Sequence, residues 1–225
     1  MEYRRIFKTV PVICSLFIGC HSTNPLSDAA AAKPDGRIVG TWYCEKPDNK
    51  NKIHSVFLHV GQAGYVKDNL KDNKDNLKDN NFNNVKAAKL VVEAYPERFK
   101  NLMRAVWIEK KPDGSVTSKS WLFFPTKIAE KHYASVPFYF GKKDGDGGYT
   151  FCRYELSGSS LTLWIGMDDD PLVQAIMSGK LKGIVHSDGS CSVMDSTDNI
   201  REFIENGDAN LFSDKNKNEF RRIVS

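Results

Sequence analysis

The sequence predicts a mainly β, antiparallel fold with a few inserted helices. After Arg37, short runs in which apolar and polar side chains alternate recur along most of the chain. Pairs of such runs flank tight-turn chemistry, Lys111-Pro112-Asp113-Gly114 and Ser157-Gly158-Ser159. Helical spacing appears in only three places.

The first strand is expected over 37–44, where Val39, Thr41 and Tyr43 alternate with Gly40, Trp42 and Cys44. A second covers 53–60. One hairpin joins 105–110 to 115–124, and another joins 149–156 to 160–165. In the last arm Leu161, Leu163 and Ile165 share one face, with Thr162 and Trp164 on the other. Further strands fit 132–140, 183–186 and 219–224. Val85, Ala88, Val92 and Tyr95 give the segment 84–95 helical spacing, and Pro96 ends or kinks it. Pro171 to Leu181 follows Asp168-Asp169-Asp170, whose carboxylates suit a helix N-terminus. A third helix starts at a Thr197 or Asp198 cap, runs through Glu205 and is closed by Gly207.

The heptapeptide KDNLKDN at 67–73 is repeated without change at 74–80. With one Leu among Lys, Asp and Asn in each copy, it has little to bury and is expected to be a solvated loop. Leu70 and Leu77 are too few for a coiled-coil seam.

The N-terminus has the form of an export signal. Arg4, Arg5 and Lys8 precede an uncharged apolar run from Thr9 to Gly19. At 1.5 Å per residue that run covers only about half of a ~30 Å hydrocarbon core, too short for a permanent span. No second apolar segment approaches spanning length, which predicts a soluble remainder. Taking the three basic and one acidic residues of 1–19 from 32 Lys plus Arg and 28 Asp plus Glu leaves 29 against 27. That balance gives no basic excess of the kind nucleic-acid binding requires, so no nucleic-acid partner is expected.

Leu16-Phe17-Ile18-Gly19-Cys20 resembles the lipobox of bacterial lipoproteins, although Phe17 and Ile18 stand where Leu and a small residue are usual. The resemblance implies a signal peptide over 1–19, cleavage before Cys20, a lipid on Cys20, and a membrane-anchored protein of the cell envelope. His21, rather than Asp, after the lipidated Cys resembles the outer-membrane sorting default of Gram-negative cells. Residues 20–36, small and polar with Pro and Gly, read as a flexible tether to a domain over 37–225. In that reading Cys44, Cys152 and Cys191 remain, enough for one disulfide and one free thiol, with no pairing assigned.

Gly40-Thr41-Trp42 in the first strand and Phe220-Arg221-Arg222 in the last resemble the chain ends of the lipocalin-like domains of bacterial lipoproteins. The resemblance implies a closed antiparallel barrel whose base is shut by the first-strand Trp with a last-strand Arg packed over it. Alternation puts Arg222 on the Phe220 face, so the pair is Trp42 and Arg222. Such a barrel can enclose an apolar cavity. Trp107, Trp121, Phe123, Phe138, Phe140 and Trp164 are the candidates to line it, or equally to fill it.

No chemistry of catalysis is evident. His54 and His59 lie five apart in one strand and point to opposite faces, and the other histidines have no spaced partner, so no metal centre is expected. Asp144-Gly145-Asp146-Gly147-Gly148 lacks the third oxygen ligand and distal Glu of a calcium loop. No nucleophile elbow, phosphate loop or zinc-helix motif occurs, and no cofactor is implied. The expected function is binding of a small apolar ligand; the alternative is a protein-interaction or inhibitor module with a filled barrel. An unrecognised hydrolase comes a distant third.

Overall fold

The computed structural model describes residues 20–47, 52–63, 101–139 and 147–223. The signal-like run up to Gly19, the repeat at 67–80, the helix expected at 84–95, Phe140 and the Asp144–Asp146 stretch lie outside them.

A two-residue strand β1 (His21–Ser22) is followed by β2 (Gly40–Pro47), β3 (Ile53–Gln62), β4 (Met103–Lys110), β5 (Val116–Ile128), β6 (Lys131–Tyr139), β7 (Gly147–Ser157) and β8 (Ser160–Ile165). Helix α1 (Asp169–Met177), β9 (Gly183–Val185), β10 (Cys191–Val193), helix α2 (Thr197–Leu211), a short 3-10 helix (Asp214–Asn216) and β11 (Lys217–Ile223) complete the described elements. Strands β2 to β8 form a meander of antiparallel neighbours, and β6 pairs with β7 within it. The last strand, β11, pairs with both β8 and β2 and so closes an eight-stranded antiparallel barrel. Closure satisfies the edges that an open meander would leave unpaired. The mainly β, lipocalin-like barrel expected from the sequence is the architecture found.

Register fixes what faces inward. Trp42 stands opposite Arg222 on one side and Leu58 on the other; Leu58 in turn faces Trp107. By alternation Trp42, Cys44 and Lys46 of β2 share the interior with Val56, Leu58 and Val60 of β3. Phe123, Val136, Cys152, Leu161 and Phe220 pack with them in one core.

A second core lies on the outside of the barrel. Tyr133, Phe151 and Trp164, from outward positions, pack with Leu172 and Ala175 of α1 and with Ile200, Ile204 and Leu211 of α2. Gly207 does not close α2 as expected: the helix runs on to Leu211, which with Phe212 is buried in this core. Burying those two side chains outweighs the ~1 kcal/mol that a mid-helix glycine costs. The N-terminal cap is Ser196, whose Oγ accepts from the Asn199 N–H at 3.2 Å.

Residues 20–36 are not the free tether expected. Strand β1 runs parallel to β10 and also pairs with β7. Leu26 is fully buried in the outer core and its N–H donates to Ser135 Oγ at 3.1 Å. Ala29 and Ala32 pack against Phe124. Small residues, which read as linker by composition, are here the ones that let the chain lie close against the outer wall of β5.

Candidate functional site: the interior of the barrel

The base of the barrel is sealed. Trp42 is fully buried, its indole N–H donates to the Ile38 carbonyl at 2.8 Å, and the Arg222 guanidinium lies 4.5 Å from the ring centroid. Arg222 also donates to the Arg37 carbonyl, which ties the chain's entry into the barrel to its last strand. Gly40 allows the entry turn: its φ of +139° is accessible to glycine and strained for any other residue. The expected pairing of Trp42 with Arg222 is therefore present as a stacked contact.

Below that pair Tyr154, itself buried, donates its hydroxyl to Asp35 at 3.0 Å. Asp35 also pairs with Arg37, whose hydrogen bond holds its carboxyl below the usual carboxylate range. Burial pushes the Tyr154 hydroxyl well up. His132 Nε2 sits 2.7 Å from Arg37 Nη2, and since a guanidinium only donates, that nitrogen accepts. Burial first, and Arg37 second, hold the His132 pKa down, in keeping with a neutral ring. This cluster is a polar plug.

The opposite half is built differently. Toward the ends of β2, β3 and β4 the inward positions carry Lys46, His54, Trp107 and Glu109. Trp107 meets Trp121 edge to face at 6.4 Å and Phe220 at 5.7 Å. Both tryptophans are only half-buried, while Phe220 beneath them is 1% exposed. Burial is therefore less complete from the Trp107 level toward this end. His54 Nδ1 and Glu109 Oε1 pair at 2.6 Å. The Lys46 ammonium lies 5.4 Å from the Trp107 ring centroid, and burial holds its pKa below the usual lysine value.

The wall is incomplete at this level. The β2–β11 ladder stops at Tyr43 and Arg221, so Cys44–Pro47 and Lys217–Phe220 continue without pairing to each other. Asn218 of β11, on the Lys46 level of that register, is buried, and its Oδ1 has no hydrogen-bond partner.

The six cavity candidates divide. Trp107 and Trp121 take inward positions and are half-buried. Phe123 faces inward but is buried in the packed core. Phe138 occupies an inward register position opposite Gly148, and its side chain lies outside the described residues, as does Phe140 altogether. Trp164 is corrected: it points out of the barrel, because Leu161, Leu163 and Ile165 take the inward positions of β8. There the Arg153 guanidinium stacks 4.3 Å over its ring. Sequence reasoning missed Lys46, His54, Glu109 and Asn218. The available signal was parity, since Lys46 repeats the Trp42–Cys44 spacing on the inward face of β2.

Cys20, the residue expected to carry a lipid, is buried in the outer core. Its sulfur is bonded to Cys191, and its N–H donates to Asp169 Oδ1 at 2.7 Å. One sulfur cannot hold both that disulfide and a diacylglyceryl thioether. Cys44 and Cys152 are buried free thiols, both pushed up to about 11 by burial and so protonated at neutral pH.

No family model, no curated protein and no solved structure matches this chain.

Proposed function

We propose that this is an exported cell-envelope protein whose barrel binds a small molecule with a large apolar part. The observation that carries the reading is the division of the interior: a base sealed around Trp42 and a mouth where Trp107 and Trp121 stay half-exposed. Aromatic faces in a concave, partly polar site are the usual lining of small-molecule pockets. Export is supported by the signal-like N-terminus and by the Cys20–Cys191 disulfide, a bond that persists in oxidising compartments. Anchoring by a lipid on Cys20 is restricted to molecules in which that disulfide has not formed.

The test uses the four tryptophans. Titrating the protein with an organic extract of the cells that make it should shift or quench its tryptophan emission. Trp107→Phe combined with Trp121→Phe should remove most of the response, and Trp164→Phe, on the outer wall, should leave it intact. An extract without effect, or a response that follows Trp164, contradicts the reading.

A protein-facing role has one observation in its favour. Met177, Ile184 and Met194, on the layer outside the barrel, are 72%, 52% and 51% exposed.

A further inference from the structure

We propose that His21 and His186 together hold one divalent transition-metal ion, Cu2+ most tightly, on the solvent face of the small sheet formed by β1, β10 and β9. The inference concerns a surface away from the barrel interior and does not rest on the binding-module reading.

The fold brings together two histidines that sequence spacing keeps apart. Strand β10 lies between β1 and β9, with Ser192 opposite His21 on one side and Ile184 on the other. His186 follows β9 on the parity of Ile184, and its N–H continues the pairing by donating to the Ser190 carbonyl at 2.9 Å. His21, Ser192 and His186 therefore share one face, while Cys191 and Val193 take the other and are buried in the outer core. Because the middle side chain is short, both rings lean over it. His186 Nε2 lies 2.7 Å from Ser192 Oγ, and His21 Nε2 lies 3.1 Å from the same oxygen.

Two imidazole nitrogens from separate strands thus converge on a single point. One hydroxyl can donate to one ring and accept from the other, so the arrangement suits two neutral imidazoles, the form that ligates metals. Metal–nitrogen bonds of about 2.0–2.1 Å need the two nitrogens roughly 3 to 3.5 Å apart. Both already reach one oxygen, and the exposed His186 ring is free of the packed core, so a small rotation brings them to that separation. The scaffold beneath is fixed. Cys20 and Cys191, each one residue before His21 and Ser192, are joined by the disulfide.

The surrounding charges favour a cation. The Ser190 hydroxyl, and then its N–H, hold the Asp188 carboxyl below the usual carboxylate range, and that carboxylate lies within electrostatic reach of His186. Lys182, the cation that precedes β9, is matched by the buried Asp195 carboxylate. Among the described residues no third His, Cys, Asp or Glu joins the pair, so water completes the coordination and Asp188 acts through space. A two-imidazole site selects copper, nickel and zinc over the hard cations, and the divalent series places Cu2+ first.

Calorimetric titration of the full chain, disulfide intact, with Cu2+ in a glycine-buffered solution and with Ni2+, Zn2+ and Mg2+ tests the site. One Cu2+ should bind per chain, more tightly than Ni2+ or Zn2+, and Mg2+ should not bind. His21→Ala and His186→Ala should each lower Cu2+ affinity at least tenfold, since even residues that only support a metal ligand cost about 10- to 100-fold when lost. His59→Ala, exposed on the barrel wall, should leave it unchanged. Electron paramagnetic resonance of the copper complex should show coupling to two imidazole nitrogens, and to one in either variant. His186→Gln can keep a hydrogen bond to Ser192 but is a poor copper ligand. It should lose the metal while melting, metal-free, at the wild-type temperature. No stoichiometric binding, an affinity that survives both alanine variants, or a signal from a single nitrogen overturns the site and leaves the barrel reading untouched.

Discussion

Replacing Trp42 with alanine is expected to cost about 3 to 5 kcal/mol of folding stability, the usual range for deleting a fully buried large aromatic. The side chain is 0% exposed, and it donates to the Ile38 carbonyl while supporting the Arg222 guanidinium at 4.5 Å. Arg222→Ala should cost less, about 1 to 2 kcal/mol, through the lost ring contact, stem packing and the bond to the Arg37 carbonyl. Because the two side chains touch, urea denaturation of the singles and the double should give a coupling of at least about 0.5 kcal/mol. Additive losses would mean that the barrel is not shut by this pair. The base would then have to be held by the Asp35, Arg37 and Tyr154 cluster alone.

Breaking the disulfide is expected to cost about 2 to 5 kcal/mol. The bond joins residues 171 apart in sequence, so in the unfolded chain it closes almost the whole domain. Loop-closure entropy places its value toward the upper end of that range. Cys191→Ser should lower the melting temperature, and wild-type protein treated with reductant should melt at the same point as the variant. Hydrogen exchange should then accelerate at Ser22 and Leu26, whose segment is held between β10, β7 and the outer core. A melting point insensitive to reductant would show that Cys20 and Cys191 are not joined in the folded protein.

Much of the barrel was legible in the sequence because its strands alternate cleanly and its hairpins carry turn residues. Ser160–Ile165 was read with its observed ends, and the parity that joins Arg222 to Phe220 placed the former over Trp42. Local pattern failed where contacts are made at long range. The two-residue strand β1 and the three-residue β10 have no periodicity to detect, and they pair across about 170 residues. Leu26, Ala29 and Ala32 sit in a stretch whose composition is that of a linker, and only the outer wall of the barrel gives them something to pack against. The lipobox pattern assigned Cys20 to a lipid and so removed from consideration the half-cystine that Cys191 meets.

The candidate site was half legible. Counting aromatics picked out Trp107 and Trp121, which face inward, but without following parity it also admitted Trp164, which alternation sends to the outer wall. The polar groups of the mouth were passed over because a lysine in a strand is ordinarily a solvent-facing residue. In β2 it falls on the face of Trp42 and Cys44, and that position decides its environment.

Native mass spectrometry of the protein purified, without detergent, from the cells that make it tests the central claim most directly. The account predicts a polypeptide carrying one retained small molecule, released on gentle activation and lost in Trp107→Ala, and two hydrogens lighter than its reduced form because Cys20 and Cys191 are joined. A bare polypeptide in both proteins, carrying no small molecule, would contradict it.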